Sequence, residues 1–269
     1  MTIEVFAQGV APKVEATSNK GKIYAFWGWN RGWYSDSDIH FTGDNYDFTL
    51  NDVEAKDRQS KLGIDPFLNL GRITIPQTNF RIGYFINDKI DISIGVDHMK
   101  YVMVSVQETE ITGNINSNAG YDGSYINNDF TITEDFLKFE HTDGLNYLNA
   151  EITYNQNLLD VFRIKLNPNK IELNYLVGFG IGVMMPRSNV TLMDFTRYDE
   201  FHFAGYGFAA KTGLNLTFYK HFFIRTEYKA GFIDMPDIRT TPNESDKASQ
   251  HFLFTEWNFD FGVVFKLFK

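Results

Sequence analysis

From Ile171 onward the chain alternates with a period of two, and this alternation restricts the fold more than any other feature of the sequence. The odd positions 171 to 185 read Ile, Leu, Tyr, Val, Phe, Ile, Val, Met, and the even positions between them read Glu, Asn, Leu, Gly, Gly, Gly, Met. Successive side chains of a strand point to opposite faces, so this run is a strand with one apolar face. The pattern returns over 204–218, 222–232 and 257–267. Across the four runs the apolar face has 28 positions and no charge, while the 27 positions opposite include seven charged residues and eight glycines. Tyr175–Met185 is the best uncharged stretch, far short of the roughly 20 apolar residues of a spanning helix and interrupted by glycines. A helical membrane protein is excluded.

A soluble sandwich or a lipocalin-like barrel also has one apolar face. A face crowded with glycine and with charges of both signs suits instead the narrow lumen of a small membrane barrel, with the aromatic-rich face turned to lipid. The expected fold is therefore all-β, an antiparallel up-and-down transmembrane β-barrel. Short turns at Asn87-Asp88-Lys89, Asn167–Lys170 and Tyr219-Lys220-His221 alternate with long polar connections at 35–75, 105–137, 186–202 and 234–250. That asymmetry is the one expected between periplasmic turns and extracellular loops. The implied strands are 22–34, 76–86, 90–104, 138–156, 171–185, 203–218, 222–233 and 251–268. This gives eight strands, or ten if 157–166 extends a neighbour. Several exceed the 9–11 residues needed to cross a bilayer, so strand extensions into the long extracellular loops are expected, with a hairpin formed by Ile39–Phe41 and Tyr46–Leu50. Residues 1–21 are polar and aperiodic and read as a flexible N-terminal periplasmic arm, with 22–269 as the barrel domain. Phe6-Ala7-Gln8 looks like the small-residue end of an export signal.

Over residues 22–268 this pattern resembles the small eight-stranded outer-membrane barrels of Gram-negative bacteria, the OmpA, OmpX and OmpW type. The run from Trp257 to Phe268 looks like the last-strand signal read by barrel-assembly machinery, although Lys269 and not an aromatic stands at the end. The resemblance implies a bacterial outer-membrane location among lipid and lipopolysaccharide.

Charge adds to the argument. With 25 basic against 34 acidic residues the net charge is −9, which argues against broad phosphate contact, and no nucleic-acid partner is expected. Cysteine is absent, so disulfides, thiolate metal sites and a cysteine nucleophile are excluded. Residues 35–58 carry a net −5 and residues 105–137 a net −6; together they exceed the whole excess. Two expectations follow for these loops: a solvated acidic surface, or loosely bound Ca²⁺ or Mg²⁺ bridging to lipopolysaccharide phosphate, with Asp36 and Asp38 as weak candidate ligands. A resident cofactor is not expected. Ordered acidic and aromatic loops also suit recognition of another envelope protein.

Two polar groups could carry chemistry, Asp97-His98-Met99-Lys100 and Glu140-His141-Thr142-Asp143. Parity points Asp97 inward and His98 outward on one strand, and His141 and Asp143 inward on the next, with Gly144 a possible site of a register-changing bulge. An inward Asp97, His141, Asp143 set could hold a metal or act as a base. Asp97, His98, His141 and Asp143 are thus the catalytic candidates of a reading that resembles outer-membrane lipid-modifying hydrolases. The competing reading makes them interfacial anchors and interior hydrogen-bond partners. Of the inward charges Arg81, Glu151, Glu172, Lys211, Arg225, Glu227, Lys229 and Asp260, an ion-paired plug is expected around Lys211, Arg225, Glu227, Lys229 and Asp260, because buried charges must pair. The alternative is a conduit, passing small apolar solutes. Trp27, Trp29, Trp33, Tyr206 and Trp257 are expected in outward aromatic belts.

Overall fold

The computed structural model describes residues 18–61, 63–67, 69 and 76–266. Most of residues 1–21, and the terminal Phe268 and Lys269, lie outside the described residues.

Eight long antiparallel strands close a ring: β1 (Lys22–Tyr34), β5 (Thr78–Phe85), β6 (Ile90–Met103), β9 (Leu137–Asn157), β10 (Ile171–Met184), β13 (Gly205–Phe218), β14 (Phe222–Arg239) and β15 (Lys247–Lys266). β15 pairs with β1 in unbroken register from Lys22↔Lys266 to Tyr34↔Phe254, which seals the barrel. The ring is eight-stranded. Residues 157–166 supply no extra pair: Leu158–Val161 form one helical turn, capped by Asn157 Oδ1, which accepts from the Leu159 amide at 2.8 Å. No helix among the described residues is long and apolar enough to cross a membrane.

Alternation sets the two surfaces of the wall. The outward row of β10 exposes Tyr175, Val177, Phe179, Ile181 and Val183, and that of β15 exposes Leu253, Trp257, Phe259, Phe261, Val263 and Phe265. From Leu253 to Phe265 a strand rises roughly 40 Å, or about 30 Å at a tilt near 40°. An apolar, aromatic band of this height around a whole ring is far larger than a soluble protein exposes and matches hydrocarbon thickness. The wall is a transmembrane surface.

Beyond the band several strands continue and the long connections fold onto them. β2 (Ser37–Gly43) and β3 (Tyr46–Val53) form the expected hairpin, and β2 joins the outer end of β15 through pairs Lys247↔Thr42 to Gln250↔Ile39. β7 (Gln107–Ile115) adds to β3, and β8 (Gly123–Ile132) to β7. On the other side β11 (Arg187–Leu192) pairs with the outer end of β9 and with β12 (Tyr198–Phe201). β4 (Ala55–Lys56) tucks against β6. These pieces enclose a cap core that includes Ile39, Phe41, Phe48, Leu50, Phe136 and Phe139, all essentially buried.

Candidate functional site: a lumen closed at three levels

The lumen is layered. At the short-turn end Tyr24, Phe26, Phe85, Phe223 and Val264 form an apolar floor. The Arg225 guanidinium lies 4.9 Å from the Phe26 ring centroid, 5.0 Å from Phe223 and 5.1 Å from Tyr24, a cation on aromatic faces. At the long-loop end the cap core closes the opening.

Between floor and cap lies an ion-paired lattice. Glu151 of β9 is its hub, 2.6 Å from Lys211, 2.9 Å from Arg81 and 2.9 Å from Lys229. Lys229 also meets Asp97 at 2.7 Å, Lys211 meets Glu227 at 3.0 Å, and Arg225 approaches Glu227 at 3.5 Å. Asn149 links the set laterally, accepting from Arg81 at 2.7 Å and donating to Asp97 at 3.0 Å. All of these side chains are buried. Glycines opposite the hub make room for it: a Cβ at Gly178 would stand 2.9 Å from Lys211 Cε, and one at Gly180 would stand 2.7 Å from Glu151 Cγ. Here the glycine-rich interior of the sequence acquires a reason, since long paired side chains fill the space that glycine vacates. Glu172 stands apart at the short-turn end, half-buried, accepting from Asn174 Nδ2 at 2.9 Å.

Lys211, Arg225, Glu227 and Lys229 therefore lie in the lattice where parity places them, and Asp97 joins them through Lys229. Asp260 does not: its oxygens make no hydrogen bond, and none of its ion pairs is within 4 Å among the described residues. Sequence reasoning missed Glu256, a buried inward acid at the upper end of the β15 row. It falls one residue before the alternating run counted from Trp257, so extending that run by one position would have found it.

The four catalytic candidates are not brought together. Asp97 pairs in register with Tyr147 inside the lattice, whereas His141 pairs with Tyr101 in the cap. His98 points outward as expected, with Nδ1 2.8 Å from Asn146 Oδ1. Asp143 is a correction: it is exposed and lies 3.5 Å from Arg187. The cause is a bulge. Between Met99↔Leu145 and Tyr101↔His141 β9 carries two more residues than β6, and Gly144 takes φ +134°, a conformation that favours glycine; the extra residues turn Asp143 to solvent. His141 is fully buried, with Nδ1 2.9 Å from Ser188 Oγ and the rings of Phe139 and Tyr101 at 5.1 and 5.6 Å. Burial pushes its imidazole down to about 3. His141 and Ser188 are both buried in the cap, and no acid among the described residues is hydrogen-bonded to the imidazole. Asp36 and Asp38 are both exposed, and Asp38 Oδ1 accepts from the Asp52 amide at 2.9 Å. No three His, Asp or Glu side chains among the described residues converge as a metal site.

On the outer wall lies a cleft of about 610 Å³. Trp29, Trp257 and Phe259 form its barrel side, and Ile64 and Phe67 of the first long connection cover it. Trp27, Trp29 and Trp33 follow the outward parity of β1, and Trp33, Tyr206 and Trp257 are about half exposed.

No family model matches the chain, and no curated protein matches it. Among solved structures it is similar to the outer-membrane protein AlkL, at 12% identity and TM-score 0.43, covering 98% of this chain and 99% of that one. It is similar to OprG of Pseudomonas aeruginosa, at 9% identity and TM-score 0.37 over 92% and 97% of the two chains. Ail of Yersinia pestis aligns at 12% identity and TM-score 0.29 over 89% and 99%. AlkL and OprG are outer-membrane proteins, and this chain's own residues define it as a closed eight-stranded barrel with an apolar outer band and a filled lumen.

Proposed function

We propose that the protein is an outer-membrane barrel of a Gram-negative envelope that conducts no ions and works by presenting its extracellular cap for recognition. The observation that carries this reading is the lumen: a lattice centred on Glu151, with an aromatic floor below and a buried apolar core above. An eight-stranded barrel is just wide enough for its own side chains. In a planar lipid bilayer the purified chain is expected to give no steady single-channel current; a stable conductance abolished by a bulky substitution at Gly178 would overturn the reading.

The outer face of the cap supports recognition. Glu110 and Asp129 stand directly opposite each other on β7 and β8, with Glu108 on the same face. Like charges opposed across strands are destabilising, and they favour a basic protein partner or Ca²⁺ or Mg²⁺ bridging to lipopolysaccharide phosphate. Replacing Glu108, Glu110 and Asp129 with Gln, Gln and Asn is expected to weaken adhesion of cells bearing the protein to lipopolysaccharide-coated or basic surfaces, with barrel stability unchanged.

A second reading, passage of small apolar solutes, is favoured by the wall cleft lined by Trp29, Phe67, Trp257 and Phe259. A fluorescent fatty amphiphile that quenches Trp257 and is displaced by alkanes would support it.

A further inference from the structure

Between β9 and β10, at the short-turn end of the barrel, the chain leaves the wall for a short ordered excursion. Asn157 Oδ1 accepts from the Leu159 amide at 2.8 Å and from the Asp160 amide at 3.3 Å, which starts the helical turn Leu158–Val161. Two backbone bonds close it: the Ile164 amide donates to Leu159 O at 2.8 Å and the Arg163 amide to Asp160 O at 3.2 Å. Arg163 takes φ +56°, the left-handed position at a helix end that glycine usually fills. The excursion is a built loop, and it keeps a long basic side chain where none is the rule.

Its surface is a poor one for water. Val161, Phe162, Ile164 and Leu166 are each half exposed or more, Phe162 at 67%, and none of them joins either buried apolar cluster. Bases are interleaved with them: the run reads Phe162-Arg163-Ile164-Lys165-Leu166, and Lys170 follows just before β10. The neighbouring turn extends both features. The Tyr219 amide donates to Lys170 O at 3.0 Å, Tyr219 is 68% exposed, and Lys220 follows it. Among the described residues no carboxylate lies within 4 Å of Arg163, Lys165, Lys170 or Lys220. Of the acids close in sequence, Asp160 is exposed, and Glu172 accepts from Asn174 Nδ2 at 2.9 Å.

The height of this patch says what covers it. Exposed Tyr154 and Tyr175 are the outward aromatics of β9 and β10 nearest the excursion, and tyrosines on the outer face of a barrel mark the headgroup level. Apolar side chains at that level enter the acyl region, and long basic side chains beside them reach phosphate. We propose that residues 158–170, with the 219–221 turn, form a docking site for anionic phospholipid of the inner leaflet. Phe162, Ile164 and Leu166 meet the acyl chains, and Arg163, Lys165 and Lys170 meet the phosphodiester. A cluster of bases selects an anionic headgroup over a zwitterionic one. The site lies at the leaflet opposite the cap and does not depend on what the cap recognises.

The chain has no cysteine, so a nitroxide on F162C reports from this loop alone. The full-length labelled variant is refolded into vesicles of phosphatidylcholine and phosphatidylglycerol. Collisions of the label with oxygen, which concentrates among acyl chains, are compared with collisions with a water-soluble nickel chelate. Oxygen collisions are expected to dominate. Dominant nickel collisions would leave the loop in water, open to a periplasmic protein or a second copy, and would overturn the proposal. Native mass spectrometry of unlabelled protein from nanodiscs of the two lipids reads headgroup preference. Wild type is expected to retain phosphatidylglycerol over phosphatidylcholine, and R163Q/K165Q/K170Q to lower that preference by at least about fivefold, the worth of one base at an anionic surface. Equal retention of the two lipids by wild type, or an unchanged preference in the triple variant, would also overturn it. If the triple variant fails to refold, the wild-type preference and the nitroxide collisions still decide.

Discussion

The barrel and its cap share strands yet bury opposite chemistry. Along β9, Glu151 lies in the membrane-spanning part among Arg81, Lys211 and Lys229, while Phe139 lies in the cap against Phe41 and Tyr101. One continuous strand thus has its charges inside at one end and its aromatics inside at the other. The solvent outside is the cause. Facing lipid, the wall gains nothing by burying apolar groups and places polar ones in the lumen; facing water, the cap buries its apolar groups in the ordinary way. Inward-facing in this chain therefore has no fixed chemical meaning, and position along the barrel axis decides it.

The sharpest way to break this comparison is to put the chemistry of one region into the other. Glu151→Leu leaves Arg81, Lys211 and Lys229 around a missing hub and is expected to cost at least about 4 kcal/mol, because removing one partner strands the others; the loss would be read as failure to refold or to keep heat-modifiable mobility on a gel. Phe48→Ala, in the cap, is expected to cost about 3 to 4 kcal/mol by cavity formation and to speed proteolysis of the cap while the wall stays resistant. If Phe48→Ala unfolded the wall as well, the two regions would be one cooperative unit. His141 gives a smaller, pH-dependent effect confined to the cap. Its buried imidazole is held neutral, with its value lowered from 6.5 to about 3, so the unfolded chain binds the extra proton first as pH falls. Cap stability should be flat above pH 6.5, decline from there toward pH 3 and level off below, and His141→Phe should remove that dependence from proteolysis rates.

The smallest effect lies at the opposite end of the barrel. Asp88 accepts from Ser18 Oγ at 2.6 Å and from the Asn19 and Lys20 amides at 2.7 and 3.2 Å, tying the start of the described chain to a short turn. The Ser18 hydroxyl, with the Lys20 and Asn19 amides, holds this carboxyl below its ordinary 3.8. A depressed carboxyl stabilises above its unfolded value and loses that contribution as pH falls through the folded one. Asp88→Ala should increase hydrogen exchange at residues 19–20 and leave wall melting unchanged.

What the sequence made legible follows the same division. In the wall, lipid imposes strict alternation, and the strand over 22–34, the inward Lys211, Arg225, Glu227 and Lys229, and the outward His98 can all be read by parity. The cap is another matter. Its sheet is made by distant pairings, Gln250 with Ile39 and Asn51 with Glu110, which no local period encodes, although the Ile39–Leu50 hairpin is local enough to be anticipated. Asp143 was misplaced because parity counting fails across a bulge whose position depends on the register of two strands. That Asp260 meets none of the lumen bases within 4 Å was hidden for a further reason: parity gives the direction of a side chain but not which of several bases it meets.

β9, β14 and β15 run from the membrane band into the cap as single strands of 21, 18 and 20 residues. A module on a flexible linker samples a volume and loses that freedom on binding. This one is a mast. Its tip is held at a fixed height and bearing above the membrane, and pulling on the cap loads the wall directly.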